Sequence, residues 1–126
     1  MNTVLLVDDE EHVLSALRRV LADEPYEVLC AASGDEALNL LDSTPCKVVV
    51  TDERMIGMQG SDLLIRIKER YPHTKRILLT GQATVEALRK AVNQGEIYRF
   101  YTKPWDDEEL KAAIRSAIER YDLEWW

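Results

Sequence analysis

Aliphatic runs and helical stripes take turns along this chain. "TVLLV" at 3–7 is short and wholly apolar, the pattern of a strand covered on both faces. Val13, Leu14, Leu17, Val20 and Leu21 then recur at helical spacing, with Arg18 and Arg19 off the stripe. "YEVLCAA" predicts a second strand, and Ser33-Gly34 opens a helix through Ala37, Leu38 and Leu41. "KVVVTD", rich in β-branched residues, is the third strand. "GMQGSDLLIRIKERYP" turns and becomes a helix that Pro72 stops. "KRILLTG" is the fourth strand, and "TVEALRKAVNQG" a fourth helix with Gly95 as its C-cap. "IYRFYTKP" is the fifth strand. "DDEELKAAIRSAIERY" is a fifth helix, acidic at its start and carrying Leu110, Ile114, Ala117, Ile118 and Tyr121.

Five strands alternating with five helices predict a doubly wound parallel sheet, because parallel neighbours need crossovers and crossovers are right-handed. Chemistry in such sheets sits at the carboxyl ends of the strands. Those ends are Asp8 and Asp9 after strand one, Asp52 after strand three, Thr80 after strand four and Lys103 after strand five. Three carboxylates, a hydroxyl and an amine thus converge on one rim, the residue types of a divalent-metal and phosphate site. Adjacent carboxylates repel, and a hard cation that takes oxygen ligands relieves that repulsion. The expected cation is Mg²⁺, or Mn²⁺ in its place.

Composition narrows the partners. At 126 residues, the chain has the length of one domain with a real core, and 46% hydrophobic against 31% charged residues is an ordinary globular balance. A net charge of −7 argues against direct nucleic-acid binding, which needs a basic footprint, and against an anionic membrane surface. Cys30 and Cys46 form no metal or disulfide pattern and no signal peptide opens the chain, so the expected compartment is the cytoplasm. No apolar run approaches the roughly 20 residues of a membrane span.

The acidic pair in "LLVDDEE", the aspartate of "VVVTDERM", the "LLTG" threonine and the "YTKPW" lysine, in this order and at these spacings, resemble a response-regulator receiver domain of two-component signalling. The resemblance covers the whole chain and implies a flavodoxin-like sheet of strand order 2-1-3-4-5. It implies that Asp52 is the phosphoacceptor for a histidine kinase or phosphotransfer protein. It further implies that Asp9, Asp52 and the backbone carbonyl of Arg54 hold Mg²⁺, with Asp8 acting through a metal-bound water. Thr80 would bond a phosphoryl oxygen and move with it, Lys103 would pair with the phosphoryl group, and the Lys103–Pro104 peptide would be cis. Phe100, ahead of Tyr98 or Tyr101, would be the aromatic that turns inward. The surface of the fourth helix, fifth strand and fifth helix would then change its partners, an output domain, a downstream protein or a second copy. Arg54 and Gln82, two residues beyond Asp52 and Thr80, would flank the path of the hydrolytic water and tune the lifetime of the mark.

Each of these residues also has a plain structural reading. Asp8 to Glu11 could cap the first helix, Thr80 the next one, Lys103 could be solvated and Phe100 ordinary core. Glu53, Arg54 and the acidic run at 106–109 read as solvated faces and helix starts, and His12 and His73 as surface residues. Two other classes share parts of the pattern. A flavodoxin-like cofactor binder would share the topology, but its first loop should not be as acidic as "DDEE". An aspartate-nucleophile Mg²⁺ phosphatase needs two aspartates flanking one residue, which "VDDEE" lacks. The departure from the family is local: where many receivers carry proline, Ile56 stands in "DERMIGMQG", freeing a backbone φ and adding an N–H. The ending "GEIYRFYTKPWDDEELKAAI" resembles receivers that precede enhancer-binding activators or cyclic-di-GMP phosphodiesterases. One domain over 1–126 is therefore expected, its last helix from about 106 leading either to an output module or to the end of a single-domain regulator. Trp125 and Trp126 would contact a missing domain, another subunit or the domain itself, or form a frayed tail.

Overall fold

The computed structural model describes residues 2–81 and 105–124, together with the strand at 99–102. The strands are β1 (Thr3–Val7), β2 (Glu27–Ala31), β3 (Val48–Asp52), β4 (Lys75–Thr80) and β5 (Arg99–Thr102). All neighbours pair in parallel, in the order β2-β1-β3-β4-β5. That is the expected doubly wound sheet. The described helices are α1 (Glu11–Val20), α2 (Gly34–Ser43), α3 (Gly60–Arg70) and a last helix (Asp107–Glu124). The helix expected over 84–95 lies outside the described residues, as do Trp125 and Trp126.

Alternation along the strands divides the core in two. Val4, Leu6, Val50, Ile77 and Leu79 face α1 and the last helix, meeting Leu14, Leu17, Leu110, Ile114 and Ala117. Leu5, Val7, Val49 and Leu78 point the other way, against Leu38 and Leu41 of α2 and Leu63, Leu64 and Ile67 of α3. Every residue of β1 and β3 is buried, as a strand covered on both faces must be, whereas the edge strand β2 begins exposed. Burying a Leu or Ile side chain stabilises by roughly 1.5–3 kcal/mol, so these two layers hold the strand ends that form the rim.

Local chemistry sets the helix ends. Ser33 accepts the Glu36 N–H at 3.1 Å, and the Glu36 carboxylate reaches back to the Ala32 N–H at 3.2 Å, close to a capping box. Asp106 accepts the N–H groups of Glu108 and Glu109 at the start of the last helix. That helix is tied down away from the rim. Arg115 grips Glu24 with two bonds of 2.8 and 2.7 Å, and Asp122 and Glu124 pair with Lys47 and Lys75 at the amino ends of β3 and β4. Both cysteines are free, and burial pushes the Cys46 thiol up to about 11, so it is protonated at neutral pH. Among the described residues no helix is long and apolar enough to cross a membrane.

Candidate functional site

Three carboxylates meet where β1 and β3 end. Asp8 follows β1 and is buried; its N–H donates to the Ala31 carbonyl at 3.1 Å, carrying the β1–β2 pairing one residue further. Its Oδ1 accepts the Glu10 N–H at 2.9 Å. The neighbouring Asp9 is half-buried, and its Oδ2 accepts the Ile56 N–H at 3.0 Å. Asp52 closes β3 and is buried. One carboxylate oxygen from each of the three lies within 4.8 Å of the others. At that spacing a pair of negative charges repels by about 3 kcal/mol at an effective dielectric near 20. An all-oxygen donor set of three carboxylates is what a hard divalent cation takes.

Thr80 ends β4 beside this group: Leu79, its neighbour, is the register partner of Asp52. The Thr80 side chain is buried, and its Oγ1 has no hydrogen-bond partner among the described residues. Buried hydroxyls are nearly always bonded, so an orphan at a strand's carboxyl end suits a ligand oxygen. Lys103, Pro104 and Gln82 lie outside the described residues. Phe100 lies on β5, in register with Leu78; its side chain is outside the described set. Arg54 is exposed, between the buried residues Glu53 and Met55.

One expectation is overturned. Glu53, read from the sequence as part of a solvated face, is only 5% exposed. Its carboxylate accepts both the Ser61 N–H at 2.7 Å and the Ser61 hydroxyl at 3.1 Å. The N-cap of α3, Gln59, makes no side-chain cap bond, so Glu53 supplies the cap from eight residues upstream. The capping reading of the first acidic run also changes: Glu10 is the N-cap of α1 without a side-chain bond, and Asp8 holds the Glu10 amide instead. Glu53→Ala leaves a buried amide and hydroxyl unsatisfied and should lower stability by about 1–3 kcal/mol in urea denaturation. Ser61→Ala, which keeps the amide bond, should cost less.

Two glycines shape the loop between β3 and α3. Gly57 has φ +85°, the left-handed region. Gly60 lies against the phosphoacceptor candidate's own backbone: a Cβ there would sit 2.1 Å from the Asp52 carbonyl oxygen. The Thr51 hydroxyl donates to that same carbonyl at 3.0 Å. The sequence pattern pointed neither to the cap that Glu53 makes on α3 nor to the close approach at Gly60. A signal for Gly60 was still present, a glycine at the first helical position of α3, directly after the Gln59 N-cap.

A parallel sheet of this strand order, with three aspartates gathered at its carboxyl rim, defines a doubly wound α/β domain. Comparison with known proteins makes the class definite: the family model of the response regulator receiver domain matches residues 4–115, and the chain belongs to that family. It is 40% identical over 122 residues to the hydrogenase transcriptional regulatory protein HoxA of Cupriavidus necator, covering 97% of this chain and 25% of that protein. It is 34% identical over 118 residues to the DNA-binding transcriptional regulator NtrC of Salmonella typhimurium, covering 94% and 25%. Among solved structures, the signal receiver domain of an HD domain-containing protein from Pseudomonas fluorescens superposes with a TM-score of 0.94 at 42% identity, covering 96% of this chain and 97% of that one. The chain thus spans about a quarter of the length of these curated relatives. As a receiver domain it is a signalling domain rather than a conventional enzyme.

Proposed function

We propose that Asp52 accepts a phosphoryl group from a histidine kinase or phosphotransfer protein, with Mg²⁺ or Mn²⁺ held by Asp9, Asp52 and the Arg54 carbonyl, and with Asp8 acting through a bound water. The observation that carries this is the trio Asp8, Asp9 and Asp52 gathered within 4.8 Å at the rim; the orphan Thr80 hydroxyl adds support. A bound Mg²⁺ would offset the negative charge of the carboxylates and of the incoming phosphoryl oxygens. An Asp52 carboxylate oxygen attacks phosphorus, the bond from phosphorus to the donor's imidazole nitrogen breaks, and the imidazole leaves as the neutral ring after proton uptake from water. The product is an acyl phosphate. Lys103 would pair with the new charge, and catalysis is positioning plus electrostatics.

The mark adds about −1.5 to −2 of charge. Thr80 is in register with Thr102 of β5, so a movement of Thr80 towards the phosphoryl group bears directly on the strand that carries Phe100. The surface expected of the fourth helix, which lies outside the described residues, the fifth strand and the last helix would then exchange partners, an output domain, a downstream protein or a second copy. Arg54 and Gln82 would set how long the acyl phosphate survives slow self-catalysed hydrolysis. Cytoplasmic residence follows from this reading.

Intact-mass spectrometry after incubation with acetyl phosphate and Mg²⁺ tests the reading: one phosphoryl group per chain is expected, and none without the metal. A chain that stays unmodified under both conditions refutes it. Metal titration by calorimetry separates the two acidic neighbours. Asp9→Ala should weaken Mg²⁺ binding by about tenfold or more and Asp8→Ala by less; equal affinities for wild type and Asp9→Ala would remove Asp9 as a ligand.

A further inference from the structure

The loop from Glu53 to Gly60 is closed at its base. Glu53 donates its N–H to the Leu79 carbonyl at 3.0 Å, and Gly60 donates to the Glu53 carbonyl at 3.0 Å. The Glu53 carboxylate holds Ser61, and Met55 is buried among the α2 and α3 side chains. At the tip stands Ile56, 89% exposed. A side chain so exposed contributes almost no packing, yet its backbone is engaged. The Ile56 N–H donates to Asp9 Oδ2 at 3.0 Å, a contact spanning 47 positions of sequence. A proline at 56 would have no N–H to give.

We propose that the Ile56 amide is a positioning donor for Asp9: by holding one carboxylate oxygen it fixes the side chain's rotamer, leaves the other oxygen for the cation, and so raises divalent-metal affinity. This rests on the cation reading of the acidic trio. A free aspartate loses rotamer freedom when it ligates a metal, and a pre-placed one has lost it already. The amide also places partial positive charge beside the trio without occupying the cation's place. The tight base of the loop matters because a donor on a floppy tip would itself have to be ordered. Glu53 and Gly60 therefore serve the same end at one remove.

The test compares Mg²⁺ affinity by NMR titration in wild type, Ile56→Ala and Ile56→Pro, each also in an Asp9→Ala background. Ile56→Ala keeps the amide and should bind within about twofold of wild type. Ile56→Pro should bind about tenfold more weakly, the low end of the loss that follows when a partner that orients a metal ligand is removed. Without the Asp9 carboxylate the two substitutions should bind equally. Amide hydrogen exchange in metal-free protein gives a readout that needs no change at position 56: Asp9→Ala should speed Ile56 exchange by about tenfold. Three results overturn the inference: wild-type affinity in Ile56→Pro, a proline penalty that persists without Asp9, or Ile56 exchange indifferent to Asp9. If wild type itself binds no Mg²⁺, the cation reading falls and takes this inference with it. If wild type binds and the position 56 variants match it, this inference alone falls.

Discussion

Asp52→Asn is expected to abolish phosphoryl uptake, lowering the rate with acetyl phosphate and Mg²⁺ by at least about 10³-fold. An amide oxygen is a far poorer nucleophile than a carboxylate, and removal of a nucleophile takes away the covalent route itself rather than slowing it. The substitution barely changes shape, so the buried rim of β3 should keep its packing, and circular dichroism should match wild type. It also removes one of three negative charges gathered within 4.8 Å. Mg²⁺ should therefore raise the melting temperature of the variant less than that of wild type, since a ligand stabilises only in proportion to its affinity for the native state. Uptake by Asp52→Asn at the wild-type rate would mean that another residue takes the phosphoryl group, and the assignment of the whole rim would have to be redrawn.

Gly60→Ala is expected to destabilise the fold by about 3 kcal/mol or more in urea denaturation. The new methyl would meet the Asp52 carbonyl oxygen at 2.1 Å, its carbon at 2.9 Å and the Glu53 Cα at 3.0 Å, all of them backbone atoms. Backbone at the end of a buried strand cannot step aside as a side-chain tip can, so the start of α3 must lift. Lifting it breaks the Gly60–Glu53 bond and loosens both Ser61 contacts. Phosphoryl uptake should fall as well, even where the variant remains folded, because Asp52 and the loop that reaches Asp9 share that base. The other glycines give a scale. Gly57→Ala meets nothing within 4 Å and bears only the strain of its positive φ, about 1–2 kcal/mol. Gly34→Ala meets Met58 side-chain atoms, the sulfur at 2.7 Å and Cβ and Cγ at 3.1 and 3.2 Å, but no backbone, and should be milder than Gly60→Ala. If Gly60→Ala unfolds within about 1 kcal/mol of wild type, the close approach of α3 to Asp52 is not what holds this loop.

Much of the fold was legible because its signals are local. "TVLLV" and "KVVVTD" read as strands covered on both faces, and β1 and β3 are buried throughout. Ser33 and Pro72 read as helix punctuation; α2 is capped by Ser33, and α3 ends just before Pro72. The rim was legible for a related reason: once a strand is placed, its last residue lies at the carboxyl edge, so Asp8, Asp52 and Thr80 needed no knowledge of distant contacts. Glu53 was misjudged by the same logic. An acidic residue after a strand looks like solvated loop until Ser61, eight positions on, folds back to meet it.

Hydrophobic periodicity and the handedness of parallel connections together leave few topologies for a chain of alternating strands and helices, so the sequence by itself determined the sheet, its two-layered core and the acidic rim. Tertiary structure alone decided which donor meets which oxygen: the Ser61 amide and hydroxyl on Glu53, the Ile56 amide on Asp9, and the Asp52 carbonyl against a glycine with no room for a methyl. The reason is that such contacts depend on backbone groups every residue carries alike. Sequence marks them only by what is missing, a proline at 56 or a side chain at 60, and their partners are chosen by where a closed loop happens to bring them.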